Sequence, residues 1–267
     1  MQSPAGLKVT AVRGILFSMK KLIIARKISR LLFMVLFIYA LLPSSCLLVK
    51  DTVPKDMFLK IDPLTQIFGS ISSRVLFPGI VFAILMLALT LIFGRFFCGW
   101  VCPLGTVIDV FGDSRKKWMR VSSGTNKILY SVKYYILGII ALASIFGIRA
   151  AWTLDPMFIM LSLIVFGTVP LMAFACCSAF ITKRFWCRAI CPLGAIYAIA
   201  ARFSLLRRYV IECDGCSRCK ADCRMQAIKD DMDYVKSECI LCMDCVYECS
   251  AGKTRFSWLS RAKRSQA

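Results

Sequence analysis

Residues 212–224 read ECDGCSRCKADCR and residues 238–250 read ECILCMDCVYECS. The spacing C-x2-C-x2-C-x3-C occurs twice, at Cys213, Cys216, Cys219 and Cys223 and then, 26 residues later each time, at Cys239, Cys242, Cys245 and Cys249. Thiolates three residues apart in a tight loop hold three irons of one cubane, and the next turn carries the fourth thiolate to the other cluster. The spacing therefore predicts two [4Fe–4S] clusters. Cys213, Cys216, Cys219 and Cys249 hold the first; Cys239, Cys242, Cys245 and Cys223 hold the second. Zinc and free thiols are the competing readings. Zinc sites usually pair C-x2-C units across a longer gap, and disulfides are disfavoured in a reducing cytoplasm. The fourth cysteine is followed by Arg224 and Ser250, where ferredoxins usually carry Pro.

Outward from this segment the composition changes. Residues 209–252 hold nine acids against five bases, whereas the 267-residue chain carries a net charge of +20, is 58% hydrophobic and is only 19% charged. An ordinary soluble domain has about a quarter charged residues, so a membrane protein with one small polar module is expected. There are 15 Cys and no His, which excludes His-ligated haem, His-containing zinc sites and Ser-His-Asp catalysis.

A bilayer core of about 30 Å needs about 20 helical residues. Four apolar stretches qualify as spans: 31–49, 75–93, 134–148 extended to Trp152, and 157–181. Bases concentrate in alternate connections. Seven Lys/Arg and no acid lie in residues 1–30, six bases against two acids in 94–131, and six bases and no acid in 182–208. By the positive-inside rule both chain ends are cytoplasmic. The charge is then a topology signal, and nucleic acid is not an expected partner. Four segments follow: 1–30 a basic N-terminus, 31–208 a four-span membrane domain, 209–252 an α+β two-cluster ferredoxin domain, and 253–267 a basic tail that frays or lies on the membrane. Trp100, Trp152 and Trp186 fall where interfacial belts form.

The membrane part is itself duplicated. GRFFCGWVCPLG at 94–105 matches KRFWCRAICPLG at 183–194, and each copy is preceded by an Asp-Pro pair, Asp62-Pro63 and Asp155-Pro156. The halves share one orientation, with the Asp-Pro pairs expected at the face opposite the cysteines. Pro103 and Pro192 suit a first helical position, which sets Cys102 and Cys191 at helix starts that favour thiolates. Across a repeat axis Cys98, Cys102, Cys187 and Cys191 give a possible third redox site or iron–sulfur centre. The competing readings are a dithiol or packed thiols. Arg95, Arg184 and Arg188 beside these motifs are expected to dock the acidic module. Asp62 and Asp155 are helix caps on the simplest reading and candidate quinol-site proton acceptors on the sharper one.

Taken together, the spans, both CxxxCP motifs and the double ferredoxin motif resemble the polyferredoxin-like NapH, MauN and NosR group over about residues 28–258. The resemblance implies an iron–sulfur electron-transfer subunit of quinol dehydrogenase type in a prokaryotic cytoplasmic (inner) membrane. Its partners would be the quinone pool and another iron–sulfur or cytochrome subunit. An iron–sulfur accessory protein, serving maturation of another redox enzyme or metalloenzyme, is the alternative.

Overall fold

The structure is a computed structural model that describes residues 22–39, 60–113, 121–148, 150–166, 169–210, 213, 215–249 and 254–258. Residues 1–21 of the expected basic N-terminus, 40–59 with the end of the first expected span, and 259–267 of the basic tail lie outside the described residues.

Helix α1 covers 22–39. Asp62 then opens α2, Pro63–Ser73, accepting the Leu64 N–H on Oδ1 at 2.8 Å, while Pro63 takes the first helical position. A carboxylate cap and a pre-set proline φ both favour a helix start here. Arg74, at φ 55°, ends α2, and the chain turns through Pro78 and Gly79 into α3, Ile80–Phe93. Gly79 is required at this turn, because a Cβ would stand 2.6 Å from Gln66 Oε1 and 2.9 Å from the Lys60 Cβ. Two helices follow, α4 (Phe96–Trp100) and α5 (Pro103–Asp113). Helix α6, Ser123–Ile145, joins the repeats.

The second repeat runs through α7 (Pro156–Phe166), α8 (Val169–Ile181), a π-helical turn at Trp186–Ile190 and α9 (Pro192–Ala201). Asp155-Pro156 open α7 as Asp62-Pro63 open α2. Cys191-Pro192 open α9 as Cys102-Pro103 open α5.

Among the described residues one helix is long and apolar enough to cross a membrane, Gly124–Ile145, with 17% of its most apolar window buried. The expected span 75–93 is a turn followed by α3, whose 14 residues rise about 21 Å. The Pro78-Gly79 turn takes up the first part of that apolar run. The expected span 157–181 comprises two helices of 11 and 13 residues.

Strand β1, Leu206–Val210, pairs antiparallel with β2, Thr254–Trp258, setting Leu206 opposite Trp258 and Val210 opposite Thr254. The expected boundary at 208/209 thus falls inside a strand, and part of the expected tail is the partner strand. Between them lie two single-turn helices, α10 (Arg218–Ala221) and α11 (Asp244–Tyr247). One apolar core runs from Leu64 and Met157 through Phe97, Ile108, Trp186 and Tyr197 to Met225 and Ile240 of the C-terminal module. Trp186 belongs to this core rather than to a lipid belt: it is 1% exposed and packs edge-on against Phe174, the ring centroids 6.1 Å apart.

Candidate metal centres

The loop after Val235 brings Cys239, Cys242 and Cys245 to one pocket, and Cys223 of the earlier motif lines the same pocket together with Arg208, Ile240 and Phe256. Burial pushes the Cys239 thiol up to about 11 and the Cys242 thiol up to about 12, so thiolates there need cations beside them. Cys213 and Cys249 lie close enough to Cys219 for their charges to act on its thiol. Cys213 and Cys216 are exposed. Cys223 of the first motif thus sits with Cys239, Cys242 and Cys245, and Cys249 of the second lies near Cys219. Among the described residues no three Cys, Asp or Glu side chains converge on a point that would suit a single metal ion.

Cys98, Cys102, Cys187 and Cys191 line one cavity with Arg95, Leu104, Gly105, Pro156, Trp186, Leu193 and Gly194. All four cysteines are buried free thiols, and Gly194 N donates to the Cys191 Sγ at 3.3 Å. The two repeats are interlocked. A Cβ on Gly105 would meet the Cys98 carbonyl at 3.2 Å and Arg184 Nη2 at 3.5 Å; one on Gly194 would meet Arg95 Nη2 at 2.9 Å and the Cys187 carbonyl at 3.3 Å. Each repeat's glycine thus receives the other repeat's arginine. Arg95 is fully buried, yet among the described residues its Nε and Nη2 find no acceptor, nor does Trp186 Nε1. Four thiols, unsatisfied cationic N–H groups and a glycine cradle suit an anionic iron–sulfur cluster.

Pro156 lines this same cavity, which corrects the expected placement of the Asp-Pro pairs at the opposite face. The helices they open are short, so α7 begins at the level of the cysteines. Asp62 and Asp155 are both caps: Asp155 Oδ2 accepts the Phe158 N–H at 3.0 Å. They also face each other at hydrogen-bonding range.

Docking of the acidic module follows the arginine expectation only in part. Arg95 Nη1 binds Glu238 Oε2 at 2.8 Å, and Lys133 Nζ binds the same carboxylate. All three side chains are buried. Arg184 turns instead to Asp109 of the first repeat, at 2.7 and 2.8 Å. Burial alone would raise the Asp109 carboxyl, but the Arg184 guanidinium, helped by Arg224 and Arg30, holds it far below the usual carboxylate range. Arg188 bonds Asn126 and lies over the Tyr130 ring.

Several docking residues carried no signal in the sequence. Arg26 of α1 bonds the Cys242 carbonyl and Asp244 Oδ1, each at 2.9 Å. Trp100 Nε1 donates to the Leu241 carbonyl at 3.0 Å, and Tyr130 Oη to the Met225 carbonyl at 2.8 Å. The closest approach is at Gly99, where a Cβ would lie 2.1 Å from the Ile240 carbonyl oxygen. The loop between Cys239 and Cys242 therefore rests on the backbone between Cys98 and Cys102. Charge on Arg95 acts on Cys98, Cys187 and Cys191 and also on Cys239.

Residues 75–120 and 156–209 match a 4Fe–4S binding domain family, one match in each repeat. An uncharacterised protein of Methanocaldococcus jannaschii is 30% identical over 93% of this chain and 92% of its own. A ferredoxin-type protein NapH of Haemophilus influenzae is 30% identical over 79% of this chain and 77% of its own. A methylamine utilization ferredoxin-type protein MauN of Paracoccus denitrificans is 30% identical over 55% and 54% respectively. No solved structure matches the chain.

Proposed function

The chain belongs to the ferredoxin-type NapH and MauN family of 4Fe–4S electron-transfer proteins, and from that premise we propose that it relays electrons between membrane quinone and a respiratory redox partner. Cys98, Cys102, Cys187 and Cys191 hold a membrane-side centre. Cys239, Cys242, Cys245 and Cys223 hold the middle cluster, and Cys213, Cys216, Cys219 and Cys249 the outer one. When bound, such clusters supply one-electron steps over a wide span of potentials.

The chain's own residues order the route. Gly99 admits the Ile240 carbonyl, and the Arg95–Glu238–Lys133 contact fixes the module to the membrane-side cysteines. Exposed Cys213 and Cys216 put the outer cluster where a partner protein reaches it. The Gly99–Ile240 contact is the observation that carries this reading, because it sets two cysteine groups on either side of one backbone contact.

A membrane location is supported by the apolar side chains that α3 and α6 turn outward, Phe82, Leu85, Ile139, Leu142 and Ile145 among them. Such contiguous apolar surface is foreign to a soluble monomer. Cytoplasmic placement of both ends agrees with the charge pattern, and Arg26 ties α1 to the module.

Anaerobic purification with iron and sulfide analysis and redox-titrated EPR tests the reading. Roughly 12 irons per chain are expected from three four-iron clusters, and roughly eight after Cys98→Ser or Cys191→Ser. Quinol-driven reduction of the tail clusters should be lost in those variants. Zinc in place of iron, or full quinol-driven reduction in both variants, overturns it.

A further inference from the structure

We infer that Asp62 and Asp155, the equivalent caps of the two repeats, form one proton-binding site that answers to the electron load of the four-cysteine centre beside it. This rests on the redox reading of that centre given above and deepens it.

Each carboxyl spends one oxygen on its helix, Asp62 Oδ1 on Leu64 N and Asp155 Oδ2 on Phe158 N. The remaining oxygens, Asp62 Oδ2 and Asp155 Oδ1, are buried and receive no N–H or O–H among the described residues. The side chains are 1% and 0% exposed and within hydrogen-bonding range of each other. Two carboxylates cannot bond each other without a proton, and two like charges at that range in a dry interior do not both ionise. The pair therefore holds one proton between its two members.

Its surroundings bring few other charges. Helices α3 and α7 carry no ionisable side chain. Lys60, three residues before α2, stands beside Gly79. Lys133 of α6 is engaged by Glu238. Tyr197 of α9 faces the pair, fully buried, with no partner for its hydroxyl, and charge on Asp62, Asp155, Cys98 and Cys102 acts on it. Tyr197 is thus within electrostatic reach of both the pair and the cysteines, and Pro156 places Asp155 one residue from the cysteine cavity.

When the centre gains one electron, added negative charge in this low-dielectric interior favours one more proton nearby. The pair takes that proton from water and passes from one shared proton to two neutral carboxyls. Oxidation returns the electron and the proton together.

The test is infrared difference spectroscopy of the full chain, reduced electrochemically in H2O and D2O, alongside EPR of the centre. Wild type should show a D2O-sensitive carbonyl stretch of a protonated carboxyl on reduction. Asp62→Asn and Asp155→Asn should each abolish it. Asn caps a helix as well as Asp, so iron content should stay at the wild-type level. An EPR signal from the centre with no such band, or a band that survives in both Asn variants, overturns the inference alone. Absence of any redox signal from the four cysteines overturns the relay reading as well.

Discussion

Gly99→Ala is the sharpest probe of how the module is held. The added Cβ would stand 2.1 Å from the Ile240 carbonyl oxygen and 3.7 Å from the Ile240 Cβ. An ordinary contact needs at least 3.4 Å, so one backbone must retreat by more than an ångström from the other. Neither side gives easily. Gly99 O accepts from Arg30 Nε at 2.8 Å and Arg26 Nε at 3.3 Å, while the opposing loop is fixed by Trp100 and Arg26. Forcing extra volume into a packed contact costs about 1–3 kcal/mol, and two lost hydrogen bonds add about 1 kcal/mol each. The free energy of undocking should therefore fall by about 3–5 kcal/mol, with tenfold for each 1.4 kcal/mol. Hydrogen-exchange mass spectrometry of segment 239–247 should register at least about a hundredfold faster exchange. Gly138→Ala is the control, since nothing lies within 4 Å of its added Cβ. Wild-type exchange in Gly99→Ala would refute the docking geometry.

Glu238→Gln strands two buried cations, Arg95 and Lys133, and breaking a buried pair costs about 3–5 kcal/mol; the thermal unfolding midpoint should drop, and Lys133→Met in the same background should recover part of the loss. Cys223→Ser should disturb the EPR signal of the cluster held by Cys239, Cys242 and Cys245, and Cys249→Ser that of the other, so the reverse pattern would return each fourth cysteine to its own motif. Asp109 supplies the pH signature. Its folded carboxyl lies below the unfolded value, so its contribution is complete above about pH 4 and is lost as pH falls below that. Asp109→Asn should flatten the acid limb of a stability–pH curve measured by denaturant unfolding.

The doubled cysteine spacing is legible because cluster ligation asks for such spacing whatever surrounds it. The duplication was legible too, since CPLG stands in both copies. The depth of the Asp-Pro pairs was not. An apolar run shows that a segment avoids water but not where a proline and a glycine reverse it, and Pro78-Gly79 shortened one run from within. The docking partners were hidden for another reason. Glu238 precedes a ligand cysteine just as Glu212 does, and nothing local distinguishes the one that meets Arg95 and Lys133. Arg26 and Asp109 act across 73 to 218 positions of sequence, where pattern carries no register.

The crossed arginines have a consequence for how a two-copy architecture came to have a front and a back. Asp109 lies seven residues after Cys102, and the residue seven after Cys191 is Ala198. The first copy thus answers Arg184 with its own carboxylate, whereas the second has only a methyl group to offer Arg95. That guanidinium, left without an anion in the membrane part, takes Glu238 from outside it. Two matched halves would present two equivalent berths and no rule for choosing between them. A single Asp-to-Ala difference removes the degeneracy, so the module seats in one orientation.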